Sequence, residues 1–242
     1  MDTKKVKEKY NHDIVNKFGS DYENKRWFIN DIQKGAYEMT LASIKEHVLS
    51  EDFSDCVELG PGHGTWTNFL LESHRSSSFD LVDISEQMLN LVKKRFGDNE
   101  NVRYFESDFL QFEPDKSYDF FFSSRAIEYI PDKNRVVKKM LSLIESGGSG
   151  FLITKTPKYM RNKILRRTIS HFHQGQILPR RLAKILVDSG AGDVRVYPVT
   201  FSFPLVQSVF LNKLLHKLFY KIPLNFMSQF FAESYCVTFK KL

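Results

Sequence analysis

The sequence predicts an α/β fold, a mostly parallel sheet with helices on both faces. Three observations predict it. Five short apolar runs are separated mostly by helical patterns, a glycine-rich turn joins the first run to a helix, and two late strand-like runs lack a crossover helix of the usual pattern between them. Strands alternating with helices imply βαβ units, whose crossovers cover the sheet. The two late runs predict an antiparallel pair at one sheet edge.

Taken in order, residues 3–18 and roughly 22–49 read as helices; in the second, Trp27, Ile32, Met39, Leu41, Ile44 and Val48 mark an approximate apolar stripe. The period then changes, and Cys56–Leu59, Phe79–Val82, Val102–Phe105, Tyr118–Ser123 and Phe151–Thr154 read as strands. Thr65–Ser73, Glu86–Phe96 and Lys133–Ile144 read as helices, with Gly147-Gly148 stopping the last, while residues 107–117 are irregular. Further on lie a basic helical stretch, Tyr159–Ile169, and a helix from Arg180 to Ser189, opened by Pro179 and closed by Gly190. Val194–Phe203 and Tyr235–Lys240 are the closing strands.

At 242 residues the chain can bury a substantial core, and 42% hydrophobic with 26% charged residues excludes a disordered or fibrous class. Its 22 phenylalanines suit an aromatic-walled core or pocket. Cys56 and Cys236 lie in apolar, strand-like segments and read as buried reduced thiols. The lysine-rich first ten residues are no secretory signal, and no stretch is apolar enough to span a bilayer, so a cytoplasmic location is expected. Charge is unevenly spread. Residues 1–156 carry 21 Lys/Arg against 26 Asp/Glu, and residues 157–221 carry 12 against only Asp188 and Asp193. A basic second half points to an anionic partner, with solvated lysines as the other explanation.

The glycine-rich turn is Val57-Glu58-Leu59-Gly60-Pro61-Gly62-His63-Gly64-Thr65. Glycines let a chain turn sharply and approach a ligand that side chains would keep away. The spacing is G-x-G-x-G, with Thr65 where a dinucleotide fingerprint has its third glycine. Glu58 ends the strand; a carboxylate there repels a pyrophosphate and attracts a cationic amino-acid group. Asp83 ends the next strand, where a carboxylate accepts hydrogen bonds from a ribose diol. Other roles stay open, with Glu58 an ordinary solvated or capping acid and Asp83 the N-cap of the helix after Ser85.

These residues resemble the class I S-adenosylmethionine (AdoMet)-dependent methyltransferases, over 53–156 well and on to 242 loosely; the varied small-molecule group resembling quinone-biosynthesis methyltransferases is closest in feel. The resemblance implies a Rossmann-like seven-stranded sheet, N-terminal lid helices (1–50), an AdoMet-binding core (51–156) and a C-terminal completion with a basic, amphipathic cap (157–242). It implies Glu58, Gly60, Pro61, Gly62 and Gly64 around the methionine moiety, Asp83 on the ribose, and Ile84 and Met88 against adenine. Ser107-Asp108-Phe109 resembles the third-strand segment whose aspartate reaches the adenine amino group, and Ser123-Ser124 ends the fourth strand beside the cofactor. The product would be S-adenosylhomocysteine, and no metal is expected.

Such a fold names the donor and leaves the acceptor open. Candidates follow the fourth and fifth strands: Arg125, as an anion clamp or as a surface partner of Glu128, with Tyr129 and Lys155. His171 and His173 have the pKa of a base, although structural histidines are commoner; no third and fourth ligands accompany them for a metal. Tyr10, Tyr22 and Trp27 either cap the site or pack at the sheet edge. In 205–222, Val206, Phe210, Leu214 and Leu218 share a helical face, with Lys213, Lys217 and Lys221 elsewhere. Packing of that face on its own domain is the preferred expectation, and peripheral contact with an anionic membrane the alternative. The expected activity is methyl transfer (EC 2.1.1.-) to oxygen or nitrogen of a small molecule, anionic or lipid-linked. Arg161, Lys163, Arg166, Arg167, Arg180 and Arg181 supply the anionic expectation. An RNA methyltransferase, served by the same basic surface, is the alternative, although the Asn/Asp-Pro-Pro-Tyr signature is absent after the fourth strand; a non-catalytic binding protein is the third reading. The sequence sets no oligomeric state.

Overall fold

The computed structural model describes residues 3–14, 16, 21, 23–97, 99–157, 175–203 and 208–242. Seven strands form one sheet in the order β3-β2-β1-β4-β5-β7-β6: β1 Asp55–Leu59, β2 Ser78–Asp83, β3 Val102–Glu106, β4 Tyr118–Ser124, β5 Ile144–Lys155, β6 Ala191–Phe201 and β7 Ala232–Lys241. The first five are parallel, and β7 runs antiparallel to both β5 and β6, as the two late runs predict.

The helices are α1 Thr3–Lys9, α2 Asp31–Val48, α3 Thr65–Ser73, α4 Glu86–Phe96, α5 Lys133–Leu143, α6 Pro179–Asp188, α7 Val209–Phe219 and α8 Phe226–Phe231. Ser85 and Asp132 cap α4 and α5 by accepting from the backbone N–H groups of Met88 and Arg135. Successive side chains of β4 go to opposite faces: Phe121 packs with α5 and α6 residues, Phe120 and Phe122 with residues of α2, α3 and α4. A strand buried on both faces reads as a continuous apolar run, hence Phe120-Phe121-Phe122. Tyr118, fully buried at the start of β4, donates to Asp80, whose carboxylate also receives Arg103.

Four expectations need correction. The second N-terminal helix is broken: Asn24–Phe28 forms a π-helical turn, and Asn30 caps α2 by accepting from the Gln33 backbone. The first gives way at Tyr10–Ile14 to another π-helical turn. Gly147-Gly148 does not end α5, which stops at Leu143; Ile144 already pairs with Tyr118, so the glycines lie inside a longer β5. Gly148 is needed there because a Cβ would stand 2.9 Å from the Asp119 carbonyl oxygen.

The fourth correction concerns α7. Its apolar face is turned outward: Phe210 is 74%, Leu214 43% and Leu218 56% exposed. The inward face carries Asn212 and His216, whose side chains bond the Phe203 N–H and the Val199 carbonyl beside β6. Backbone groups at that sheet edge need partners, and these polar side chains supply them. Val206 lies outside the described residues, as do Tyr22, His171, His173, Arg161, Lys163, Arg166, Arg167 and the stretch Tyr159–Ile169.

Candidate functional site

The strand order reverses between β1 and β4, and in open α/β sheets the crevice beyond the carboxyl ends at such a switch point receives ligands. A cleft of about 1170 Å³ opens there. The β1 end passes into the glycine turn, held against β2 by Gly60 N–H donating to the Val82 carbonyl at 2.8 Å. Gly60 has φ +69°, and a Cβ on it would meet that of Ala126 at 2.5 Å. Gly62, φ +59°, has only the tip of Met88 within 4 Å. Gly64 differs from both: it caps α3 in the left-handed region, and a Cβ would strike the Phe96 ring at 2.5 Å. Its glycine serves helix packing, and it does not line the cleft.

The carboxylates at the β1 and β2 ends are both perturbed. Glu58 is buried, accepts from the Thr67 hydroxyl at 2.7 Å, and is pushed up to about 8 by desolvation, Thr67 opposing the shift. It sits behind the cleft wall. Asp83 lines the cleft and is pushed up to about 6, again by desolvation, against backbone hydrogen bonds from Ser85, Gly62 and Ile84. Ser85, not Asp83, caps α4. Asp108 lines the cleft too, and its carboxylate accepts from the Leu110 N–H at 3.0 Å. This end is short of positive charge and of donors. It suits a ligand bringing hydroxyl donors and a cation.

The opposite end is basic. Arg125 follows β4 at φ +62°, a conformation non-glycine residues rarely adopt, and is anchored by its N–H on the Ile153 carbonyl at 2.8 Å. Burial lowers its pKa and Glu128 opposes the shift, with Arg26 lowering it further. Lys155 lies behind the lining and is pushed down to about 8, first by desolvation and then by Arg125, with Glu128 opposing. Glu128 itself is buried and accepts from the Lys155 backbone N–H. The turn carrying Glu128 and Tyr129 is held by Lys133, whose ammonium donates to the carbonyls of Ile127 and Ile130. Arg125, half-buried at the cleft, and the buried Glu128 thus belong to one cluster and not to an exposed surface pair.

The N-terminal segment forms the roof. Val6, Tyr10, Arg26 and Trp27 line the cleft. Tyr10 meets Tyr129 edge to face at 5.4 Å, and Trp27 packs edge-on against Trp66 and Tyr37. Three ties hold this roof to the core: Lys7 to Glu106, Glu23 to Arg95, and Ser85 to Asn11. The Trp27 indole nitrogen is buried without a hydrogen-bond partner among the described residues.

Of the sequence-predicted residues, Gly60, Pro61, Gly62, Asp83, Ile84, Met88, Ser107, Asp108, Phe109 and Ser124 converge on the cleft, with Arg125, Tyr129, Tyr10 and Trp27. Glu58, Gly64 and Lys155 stand behind it, while Tyr22, His171 and His173 are outside the described residues. Sequence reasoning missed Arg26, His63 and Trp66 in the lining, and Lys133 beneath it. His63 carried a signal, lying within the glycine turn, and Arg26 one as the neighbour of Trp27.

The sheet order and cleft define a class I, Rossmann-like methyltransferase fold. Residues 56–148 match the family model described as a methyltransferase domain. Over 92 residues the chain is 33% identical to malonyl-[acyl-carrier protein] O-methyltransferase 1 of Ilyobacter polytropus, covering 38% of this chain and 34% of the relative. Over 107 residues it is 26% identical to trans-aconitate 2-methyltransferase of an Enterobacter species, 44% and 41% of the two chains. The chain thus spans about a third to two-fifths of these relatives' length. Among solved structures, magnesium protoporphyrin IX methyltransferase from Synechocystis with bound S-adenosylhomocysteine superposes with TM-score 0.64 over all of both chains at 15% identity. The N-methyltransferase NodS from Bradyrhizobium japonicum gives 0.59 over 88% of this chain and 97% of that one, at 13% identity. Residues 56–148 thus match a methyltransferase domain, and the chain as a whole has the class I methyltransferase fold. Among the described residues no group of three or more His, Cys, Asp or Glu is placed to hold a metal ion, and no helix is long and apolar enough to cross a membrane.

Proposed function

We propose that the protein is an AdoMet-dependent methyltransferase acting on an oxygen or nitrogen of a small anionic molecule. The observation that carries this reading is the polarity of the cleft, acidic at the glycine turn and basic beyond β4. The residues present fit the cofactor. Gly60 and Gly62 admit backbone approach, and Asp83 faces where a ribose diol would donate. Ile84 and Met88 supply apolar contact for a base, and Asp108 an acceptor for its amino group. A cationic ligand would offset by its charge the upward shift that desolvation gives Glu58 and Asp83.

AdoMet, when bound, supplies a methyl group already activated on a sulfonium. What remains for the protein is orientation and exclusion of water. Tyr10, Trp27 and Tyr129 close over the cleft. Arg26 and Arg125 hold the acceptor's anionic group. An acceptor methylated on its own carboxylate has no proton to lose and needs no general base. Two curated relatives are named for acceptors bearing carboxylates, malonyl-[acyl-carrier protein] and trans-aconitate, which supports the anionic assignment.

Titration calorimetry tests the donor. Wild type is expected to bind AdoMet and not NAD, and Asp83→Ala to bind AdoMet at least tenfold more weakly, about 1.4 kcal/mol. Folded protein giving no heat with AdoMet would overturn the reading.

A further inference from the structure

Methyl transfer makes no use of the outer face of α7 and the chain that follows it. Phe210, Leu214 and Leu218, spaced four residues apart, form an exposed stripe along α7. Ile222, Phe226, Met227 and Phe230 continue the exposure through the next turn and α8, Phe226 at 80%. α7 docks on β6 through Asn212 and His216 and packs Leu215 and Phe219 on the cluster of Met39, Phe201 and Ala232, which leaves this second apolar row uncovered. Large exposed apolar patches mark interaction surfaces.

We propose that α7 and α8 form a docking surface for an anionic lipid bilayer. Charge selects this occupant. Residues 194–232 contain no Asp or Glu, while Lys213, Lys217 and Lys221 form a ladder beside the stripe. Lys213 and Lys221 pair with Glu38 and Glu46 of α2, which bracket the ladder, and Lys217 between them makes no ion pair among the described residues. An amphipathic helix with protruding apolar side chains and a lysine flank lies in the plane of a membrane, its apolar side in the headgroup boundary. The proposal stands independently of the methyl-transfer reading.

Sedimentation of the full chain with phosphatidylglycerol vesicles and with pure phosphatidylcholine vesicles tests it. Binding to the former is expected to exceed binding to the latter at least tenfold and to weaken with added salt. Phe210→Ser combined with Phe226→Ser should lower binding at least tenfold, and Lys217→Glu roughly fivefold. All three residues are exposed, so these variants should keep the wild-type melting temperature. Absence of binding to phosphatidylglycerol, or binding indifferent to the double substitution, would overturn the proposal. So would a concentration-dependent dimer in light scattering that Phe226→Ser abolishes, which would assign the face to a second copy.

Discussion

The two ends of the cleft carry opposite chemistry. At the carboxyl ends of β1, β2 and β3 stand Glu58, Asp83 and Asp108, the buried Glu58 and the half-buried Asp83 both raised by desolvation. Beyond β4 and β5, and under the roof, stand Arg26, Arg125 and Lys155 around Glu128. The acidic end is built locally, each acid placed by the strand it terminates. The basic end gathers residues from Arg26 to Lys155 and depends on Lys133 to hold its turn. On the proposed reading a cationic donor would take the acidic end and an anionic acceptor the basic one, and the same polarity would disfavour exchanging them.

The ends meet where Gly60 touches Ala126, so the largest effect is expected there. Gly60→Ala places a Cβ at 2.5 Å from that of Ala126 and forces a non-glycine residue to φ +69°. It should cost about 3 kcal/mol of stability by denaturant melting. Gly62→Ala shares the positive φ but has room around it, and should cost about 1 kcal/mol. Equal costs would mean that the seam is not tightly packed.

How much was legible follows the same division. The acidic end could be read because a glycine turn and a strand-end acid are contiguous patterns with fixed physical causes, and the parallel sheet because its strands alternate with helices. The basic end could be read only in part. Arg125 was visible after its strand, but its positive φ and its place in one cluster with the buried Glu128 are tertiary facts. Arg26, Trp66 and Lys133 come from segments whose meeting no periodicity encodes. The outward apolar face of α7 defeated the reading because helical spacing shows that a face exists and not which way it points.

Titration sharpens the comparison at the acidic end. Asp83 titrates ordinarily near 3.8 and is pushed up to about 6 in the fold. Between those values the folded protein binds a proton that the unfolded chain releases, so ligand-free stability falls as pH rises from about 4 to 6. The loss should be about 2 kcal/mol. Asp83→Asn should remove that part of the slope, leaving the contribution of Glu58, which continues towards about 8. Melting curves across this range check it, and an unchanged slope in the variant would show Asp83 to be ionised as readily as in water.

A last substitution tests whether the ends are separate. Arg26 lies in the roof with its guanidinium 5.0 Å from the Trp27 ring and faces the same cluster as Arg125. If it holds the acceptor's anion, Arg26→Gln should weaken protection by malonate or inorganic phosphate about tenfold, roughly 1.4 kcal/mol. Thermal shift of protein saturated with S-adenosylhomocysteine reads this directly. Affinity for AdoMet should change by no more than about twofold, because the contacts proposed for the donor lie at the ends of β1, β2 and β3. Parallel losses for both ligands would mean that Arg26 braces the roof as a whole, since a loosened roof exposes both ends to water. A loss confined to the anion would identify Arg26 as an acceptor residue, and the acidic and basic ends as independent sites on one sheet.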